Sequence, residues 1–305
     1  MAAETINIRP TVIQPLKQDK TMATAKMGII GFPIRHSISP VFQQAALDHL
    51  GLDATYEAWE VVPGSVGDFV NGLRSPDTLG INVTVPHKEA VIPFLDEVDD
   101  WATSAGAVNT IVNRDGRLTG HNTDGPGFLR ALREGGSFGP QGKHVLILGA
   151  GGAARGVVLA LIKDGVGRLT IANRTLDRAQ RLSRMARDNG LDGQSISLEE
   201  DGLAAAAASA NLIVNCTTVG MSHGPDEAGS PLPPAMIPAT SLVYDLVYNP
   251  LETPLLRDAA RAGAGTLGGI SMLVYQGALS FKMWTGQDAP VAVMLEAATK
   301  AMASR

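Results

Sequence analysis

Short apolar runs alternate with segments of helical spacing along the first half of the chain. Strand-like runs span residues 26–31, 55–61 and 80–85. Ser39 followed by Pro40 is a typical helix start, which predicts Ser39 as the N-cap and Pro40 as the first helical residue. The pair Asp115-Gly116 between two further strand-like runs is typical of a two-residue hairpin turn. Because hairpin strands are antiparallel, this half predicts a mixed-sheet α/β fold.

A second α/β unit follows a glycine-rich loop at residues 135–142, which is the best domain boundary in the sequence. An apolar strand at 144–149 leads through a glycine turn into an apolar helix that ends at Gly165, and another strand follows. The strand signal recurs twice more before two C-terminal helical segments. This order predicts a Rossmann-type, doubly wound domain. The fold class is therefore α/β with two domains.

Composition agrees with this organisation and excludes several functions. The chain has 305 residues, of which 45% are hydrophobic, enough for one large or two ordinary domains. Its 25 basic and 30 acidic residues form no long run of one sign, so we expect no nucleic-acid partner. No apolar stretch approaches the roughly 20 residues that span a membrane. The single cysteine, Cys216, and the lack of an export signal favour the cytoplasm.

The glycine turn after residue 148 is a candidate dinucleotide site. It consists of Gly149, Ala150, Gly151, Gly152 and Ala153. Glycines there let the backbone approach a pyrophosphate, whose charge meets the free N–H groups of the following helix. Taken alone, the same pattern also fits a glycine-packed turn in any doubly wound domain.

The end of the next strand indicates which dinucleotide is bound. A cofactor without a 2′-phosphate usually meets an acidic residue there, whereas this chain has Asn173, Arg174, Thr175 and, one turn later, Arg178. Guanidinium groups bind phosphate through charge-assisted hydrogen bonds. NADP(H) is therefore the predicted cofactor, although Arg178 by itself would also suit a solvated helix face.

A second set of polar residues lies at predicted strand ends and helix starts in the first half, where open α/β sheets place ligands. The set comprises Ser37, Ser39, Thr84, Lys88, Asn109 and Asp124. Hydroxyl, amide, ammonium and carboxylate groups together suit a small polyhydroxylated acid. The six histidines and one cysteine show no metal-ligand spacing, so no metal site is expected.

Eight motifs in order resemble the shikimate dehydrogenase family, from about Met27 to the C-terminus. In this chain they read GFPIRHSISP (31–40), NVTVPHK (82–88), GAVNT (106–110), NTDG (122–125), GAGGA (149–153), NRTLDR (173–178), DLVYNP (245–250) and MLVYQ (272–276). The ordered set is far more specific than any one motif. Two positions depart from the family pattern, because Phe32 replaces an asparagine and Ser271 replaces a glycine.

The resemblance implies reversible reduction of 3-dehydroshikimate to shikimate by NADPH, a step of chorismate and aromatic amino-acid biosynthesis. Ser37 and Ser39 would bind the substrate carboxylate, and Thr84, Asn109, Asp124 and Gln276 its hydroxyls. Tyr248 would also face the substrate. Leu246 and Gly269 would hold the nicotinamide end through their backbone. The resemblance also implies a discontinuous substrate domain, 26–124 plus 271–305, around an NADP-binding domain at 125–270, after an extension at 1–25.

Lys88 and Asp124 are the catalytic pair that the resemblance implies, and the chemistry of the two residues agrees. When hydride reaches a ketone carbon, the oxygen gains charge and needs a donor. A lysine is protonated at neutral pH and can serve as that acid, while Asp124 orients it. A purely structural salt bridge is the alternative. Ser39 could likewise serve only the helix start, and Gln276 could be an ordinary polar helix position.

Two competing functions stay open at this level. A quinate or dual quinate/shikimate dehydrogenase would differ at the residues that meet the extra hydroxyl of quinate. A non-catalytic relative that senses NADP(H) would have no chemical need for Lys88 and Asp124. We expect small-molecule partners and a monomer or homodimer.

Overall fold

The computed structural model describes residues 24–198 and 202–304, which form two six-stranded sheets. Most of the predicted extension, residues 1–23, lies outside the described residues. The first sheet contains β1 (Ala25–Gly31), β2 (Ala54–Glu60), β3 (Thr78–Val83), β4 (Glu97–Val98), β5 (Thr110–Arg114) and β6 (Arg117–His121). Its strand order is β2-β1-β3-β5-β6-β4. Strand β1 runs parallel to β2 and β3, whereas β5 is antiparallel to β3 and β6. The predicted mixed sheet is confirmed.

The turn between β5 and β6 has the predicted hairpin geometry. Asp115 and Gly116 both have positive φ, 52° and 85°. Two positive φ values characterise the turn whose twist matches antiparallel strands. Asn113 supports the turn, because its Oδ1 accepts the Gly116 N–H at 2.9 Å.

We expect Gly116→Ala to lower the free energy of unfolding by about 1 kcal/mol, because a Cβ is strained at positive φ. Gly72 is the matched control: it is exposed, has no positive φ, and a Cβ there would meet no atom within 4 Å. Gly72→Ala should leave the stability within about 0.5 kcal/mol of wild type or raise it. Urea unfolding of the two variants measures both changes, and equal stabilities would contradict the turn assignment.

Helices cover the first sheet and lead into the second unit. They are α1 (Ser39–His49), α2 (Val66–Gly72), α3 (Asp100–Ala105) and α4 (Asp124–Arg130), with a π-helical turn at Ala131–Gly135. The predicted register at Ser39 is wrong by one residue. Ser39 is the first helical residue, Ile38 occupies the N-cap position, and the Ser37 hydroxyl accepts the Ser39 N–H at 3.2 Å. Ser37 therefore supplies the polar contact at this helix start that was predicted for Ser39.

The second sheet is parallel throughout and has the doubly wound order β12-β11-β10-β7-β8-β9. Its strands are β7 (His144–Leu148), β8 (Arg168–Ala172), β9 (Asp192–Ile196), β10 (Leu212–Asn215), β11 (Leu242–Asp245) and β12 (Gly265–Leu267). Its helices are α5 (Gly152–Lys163), α6 (Leu176–Asp188), α7 (Gly202–Ser209) and α8 (Pro254–Arg261). The Rossmann-type prediction is confirmed.

The last two helices, α9 (Gly269–Thr285) and α10 (Val291–Ala303), pack against the first half of the chain. Helix α10 lies on α1. Helix α9 contributes Phe281 and Trp284 to the core beside the first sheet, whereas its Tyr275 belongs to the core of the second sheet. Helices α4 and α9, which also pack together, therefore link the two sheets. The proposed domain boundaries fall in the first turns of these two helices. Among the described helices, none is long and apolar enough to cross a membrane.

Candidate active site

Lys88 and Asp124 form a close ion pair. Lys88 Nζ lies 2.6 Å from Asp124 Oδ2, and the two side chains are 29% and 23% exposed. Lys88 lies in the loop after β3, where its carbonyl accepts the Val108 N–H at 2.8 Å. Asp124 is the first residue of α4, and its N–H donates to Asn122 Oδ1 at 3.1 Å. Both residues are thus held by backbone contacts and still reach solvent.

Asn109 completes the surroundings of this carboxylate. Its Nδ2 donates to Asp124 Oδ1 at 2.8 Å, so each oxygen of Asp124 has its own donor. The same Nδ2 lies 3.2 Å from Gln276 Oε1, and the Gln276 Nε2 donates to the Leu273 carbonyl at 2.7 Å. Four of the predicted site residues, distant in sequence, therefore lie together.

Ser37, Ser39 and Thr84 lie at the same end of the first sheet. Ser39 is 3% exposed, whereas Ser37 and Thr84 are half-buried. Phe32 N–H donates to the Val85 carbonyl at 3.0 Å, so the segment that leads to Ser37 runs beside the one that contains Thr84. Phe32 itself is 41% exposed, so this departure from the family pattern adds exposed apolar surface.

A cleft of about 1280 Å³ is lined by residues from both halves of the chain. Of the predicted residues, Ala153, Leu246 and Tyr248 line it, whereas Lys88 and Asp124 do not. Among the described residues of the lining, the ionisable nitrogen groups are Arg35 and two histidines, and there is no Asp or Glu. Such a lining suits an anionic ligand. Cys216 also lines the cleft, and burial raises the pKa of its thiol, so the group is uncharged at neutral pH.

The glycine turn leaves open space beside the start of the following helix. Gly149 has φ 102°, and a Cβ there would lie 2.9 Å from the Thr217 methyl group. At Gly151 and Gly152 a Cβ would meet no atom within 4 Å, so open space lies beside the first turn of α5. A phosphate in that space would meet the free N–H groups of the helix. The residues present fit the pyrophosphate of NADP(H).

The segment after β8 presents two guanidinium groups to solvent. Asn173 Nδ2 donates to the Thr175 carbonyl at 2.8 Å, and Thr175 is the N-cap residue of α6. Arg174 and Arg178 are exposed, and within residues 24–198 and 202–304 neither is in an ion pair. Both remain available for an added phosphate group.

We expect Arg174→Ala to raise the KM for NADPH by about 10- to 100-fold, the equivalent of one lost charge-assisted hydrogen bond. The KM for NADH should stay the same, because NADH has no 2′-phosphate. Arg117→Ala is the control, since it removes an exposed guanidinium, paired with Glu97, from the other sheet. Equal KM values for NADPH in wild type and Arg174→Ala would show that Arg174 does not bind the cofactor.

The backbones of Leu246 and Gly269 lie in close contact. A Cβ on Gly269 would lie 2.3 Å from the Leu246 carbonyl oxygen. Asp245 fixes this segment: Oδ1 accepts the Val247 N–H at 3.0 Å, and Oδ2 accepts the Thr253 hydroxyl at 2.6 Å. Burial raises the pKa of Asp245, and these donors stabilise its charged form.

Ser271 lies in the first turn of α9, and its backbone is not among the positive-φ residues. Serine therefore occupies this glycine position of the family pattern without the strain of a positive φ. The Ser271 N–H contacts the Gly268 carbonyl at 3.3 Å.

Sequence reasoning missed the polar residues beneath this site. Asn82, Thr110, Thr123 and Ser280 are buried and hydrogen-bonded to one another. The signal was present for three of them, because Asn82, Thr110 and Thr123 belong to the motifs NVTVPHK, GAVNT and NTDG. Ser280 carries no such signal, because it lies on a helix that has polar positions elsewhere.

The fold and the site define a class: a two-domain α/β oxidoreductase, with a Rossmann-type unit for NADP(H) and a mixed-sheet unit that carries a lysine–aspartate pair. Three family models match successive parts of the chain. They are the shikimate dehydrogenase substrate binding domain (residues 29–111), the shikimate / quinate 5-dehydrogenase model (135–223) and the shikimate 5′-dehydrogenase C-terminal domain (269–299). The chain belongs to the shikimate dehydrogenase family.

Individual relatives agree with this assignment. Shikimate dehydrogenase (NADP(+)) of Moorella thermoacetica is 47% identical over 281 residues, covering 92% of this chain and 94% of the relative. A shikimate dehydrogenase structure in complex with NADP+ has a TM-score of 0.84 at 37% identity and covers 92% and 96% of the two chains. The Thermus thermophilus enzyme in complex with NADP(H) and shikimate gives 0.80 at 40% identity, covering 91% and 99%.

A quinate dehydrogenase is also similar. The enzyme of Corynebacterium glutamicum in complex with NAD has a TM-score of 0.81 at 32% identity and covers 90% of this chain and 98% of its own. Fold similarity alone therefore does not separate the two substrates.

Proposed function

We propose that this protein is an NADP-dependent shikimate dehydrogenase, which reduces 3-dehydroshikimate to shikimate reversibly. The observation that carries the proposal is the group of Lys88, Asn109, Asp124 and Gln276, joined by contacts of 2.6 to 3.2 Å. This group combines an ammonium donor, a carboxylate acceptor and two amides. It therefore matches both the ketone and the ring hydroxyls of the substrate.

We assign the remaining roles as the family resemblance implies them. Ser37 and Ser39 bind the substrate carboxylate, Thr84 binds a ring hydroxyl, and Tyr248 faces the substrate from the cleft. Residues 149–153 hold the pyrophosphate of the cofactor, Arg174 and Arg178 with Asn173 and Thr175 hold its 2′-phosphate, and Leu246 and Gly269 hold its nicotinamide end. The division into 26–124 plus 271–305 and 125–270 belongs to the same proposal.

NADPH supplies the hydride when it is bound, and the side chains manage the charge that develops on the substrate. Lys88 donates a hydrogen bond, and then its proton, to the carbonyl oxygen of 3-dehydroshikimate. Asp124 holds Lys88 Nζ in place and accepts a hydrogen bond from a substrate hydroxyl. In the reverse direction Lys88 must accept a proton, so oxidation of shikimate is favoured at alkaline pH. Asn109 and Gln276 keep the ring oriented.

The proposal is tested by the absorbance of reduced nicotinamide with shikimate or quinate and NADP+ or NAD+ in four combinations. The expected result is activity in only one of the four combinations, shikimate with NADP+. Equal or greater activity with quinate would favour the second candidate, a quinate or dual quinate/shikimate dehydrogenase, which the similarity to the Corynebacterium glutamicum enzyme supports. No activity in any combination would favour a non-catalytic NADP(H) sensor, a more remote candidate that the intact Lys88–Asp124 pair disfavours.

Two further expectations belong to this proposal. One is a cytoplasmic location. The other is a monomeric or homodimeric state, which light scattering combined with size-exclusion chromatography would determine.

A further inference from the structure

Seven buried polar side chains form one hydrogen-bonded group beneath the Lys88–Asp124 pair. This core polar cluster consists of Tyr56, Asn82, Asn109, Thr110, Thr123, Gln276 and Ser280, and each member is less than 10% exposed. It joins three strands of the first sheet to α9. Buried polar groups cost stability unless their partners are satisfied, so the donor directions within such a cluster are tightly constrained.

The orientation of the Asn109 amide follows from one contact whose donor is unambiguous. The backbone N–H of Thr123 lies 2.7 Å from Asn109 Oδ1, so that atom must be the acceptor oxygen. The NH2 group of Asn109 then points to Asp124 Oδ1 at 2.8 Å. A flipped amide would place a donor against the Thr123 N–H and an oxygen against the carboxylate of Asp124. The orientation of Asn109 therefore determines whether Asp124 has its second donor.

Thr110 can supply a second donor to the same oxygen. Its hydroxyl lies 3.1 Å from Asn109 Oδ1. It also lies 3.1 Å from Asn82 Nδ2 and 2.7 Å from the Ser280 hydroxyl. The Asn82 amide is itself fixed, because its Oδ1 accepts the Tyr56 hydroxyl at 2.7 Å. The Ser280 hydroxyl can donate its single proton either to Thr110 or to the Gln276 carbonyl at 3.1 Å. When it donates to Thr110, as Asn82 does, the single proton of Thr110 is directed at Asn109 Oδ1.

We propose that Thr110 is a positioning residue for the reaction: its hydroxyl, oriented by Asn82 and Ser280, holds the Asn109 amide so that Asp124 keeps its place beside Lys88. This inference rests on the proposed function for its kinetic consequence. Its structural content, the fixed amide of Asn109, does not depend on which substrate is used.

The test compares Thr110→Val, which keeps the shape and removes the hydroxyl, with Thr110→Ser, which keeps the hydroxyl. We expect Thr110→Val to reduce kcat about tenfold, because small displacements of catalytic groups are costly, and to leave the KM for NADPH unchanged. Thr110→Ser should stay within about twofold of wild type for the same reason. Similar kcat values in the two variants would overturn the proposal, because packing and not the hydroxyl would then decide the outcome.

Thr285→Val is the matched control for loss of a buried hydroxyl. Thr285 lies on α9, is 1% exposed, and bonds the Phe281 carbonyl at 2.8 Å and the Gln287 N–H at 3.1 Å, outside the core polar cluster. The Thr285→Val substitution should lower the melting temperature of the protein and leave kcat at 25 °C unchanged. An equal loss of kcat in Thr285→Val would assign the effect of Thr110→Val to general destabilisation and overturn the proposal.

A measurement without substrate separates this inference from the proposed function. In NMR spectra of the free protein, the side-chain NH2 protons of Asn109 should exchange with solvent about tenfold faster in Thr110→Val than in wild type or Thr110→Ser, since the amide is less firmly bonded. Unchanged exchange overturns the inference even if shikimate is turned over. If wild type turns over no substrate, the proposed function fails, and the exchange rates still decide the role of Thr110. Should Thr110→Val not fold, Ser280→Ala removes the partner at 2.7 Å and should accelerate the same exchange.

Discussion

Lys88→Ala should reduce kcat for shikimate oxidation by about 10²- to 10⁴-fold, the usual contribution of a positioned acid or base. The variant removes the donor that meets the developing charge on the substrate oxygen. Lys88 is not among the residues proposed to hold the cofactor, so the Kd for NADPH should remain at the wild-type value. Stopped-flow or steady-state absorbance gives kcat, and NADPH fluorescence gives the Kd.

Lys26→Ala is the matched control for this prediction. Lys26 also pairs with an aspartate, Asp77, at 2.8 Å, but it lies at the start of β1 and its side chain is 53% exposed. Removing it should leave kcat unchanged. If Lys88→Ala turned over shikimate as fast as Lys26→Ala, the Lys88–Asp124 contact would be an ordinary salt bridge, and the catalytic role would be refuted.

Gly269→Ala should both destabilise the protein and weaken cofactor binding. The added Cβ would lie 2.3 Å from the Leu246 carbonyl oxygen and 2.8 Å from that of Val247, so backbone must move. Overpacking of this kind costs about 1–3 kcal/mol of the free energy of unfolding. Because the same backbone is proposed to hold the nicotinamide end, its displacement should also raise the Kd for NADPH by about tenfold, the equivalent of one lost backbone hydrogen bond.

The neighbouring glycine provides the control. A Cβ on Gly268 would lie 3.7 Å from the Leu256 Cδ1, an ordinary van der Waals distance, and Gly268 has an extended backbone. Gly268→Ala should keep its Kd for NADPH within about threefold of wild type, because no backbone must move. Equal effects of the two substitutions on unfolding and on NADPH binding would show that the contact between Gly269 and Leu246 has no special importance.

Much of this fold could be predicted because its signals are local. A glycine turn between an apolar strand and an apolar helix and the Asp115-Gly116 pair each constrain only a few neighbouring residues. These signals predicted a mixed first sheet and a doubly wound second sheet. The short strands β4 and β12 and the polar strand β9 carry no such signal. Strand β9, with sequence DGQSI, pairs with β8 at the sheet edge, where a polar strand is tolerated.

The residues of the candidate site were named from ordered motifs, but their geometry could not be predicted. Gln276 meets Asn109 although 167 residues separate them, and Ser280 meets Thr110 across 170. Such contacts depend on how α9 returns to the first sheet, which no local pattern encodes. The helix start at Ser39 illustrates a smaller failure: two serines two residues apart both suit an N-terminal contact, and only the structure shows that Ser37 provides it.

The return of α9 and α10 to the first sheet has a consequence for synthesis on the ribosome. The strands of the second sheet lie in the continuous segment 144–267 and can pair as soon as it emerges, before Tyr275 of α9 completes that core. The first sheet must wait for Phe281, Trp284 and Met294 to cover its core beside α1. At ordinary translation speed that delay is on the order of ten seconds. During this interval the nascent first half exposes apolar side chains, and we expect it to be a client of ribosome-associated chaperones.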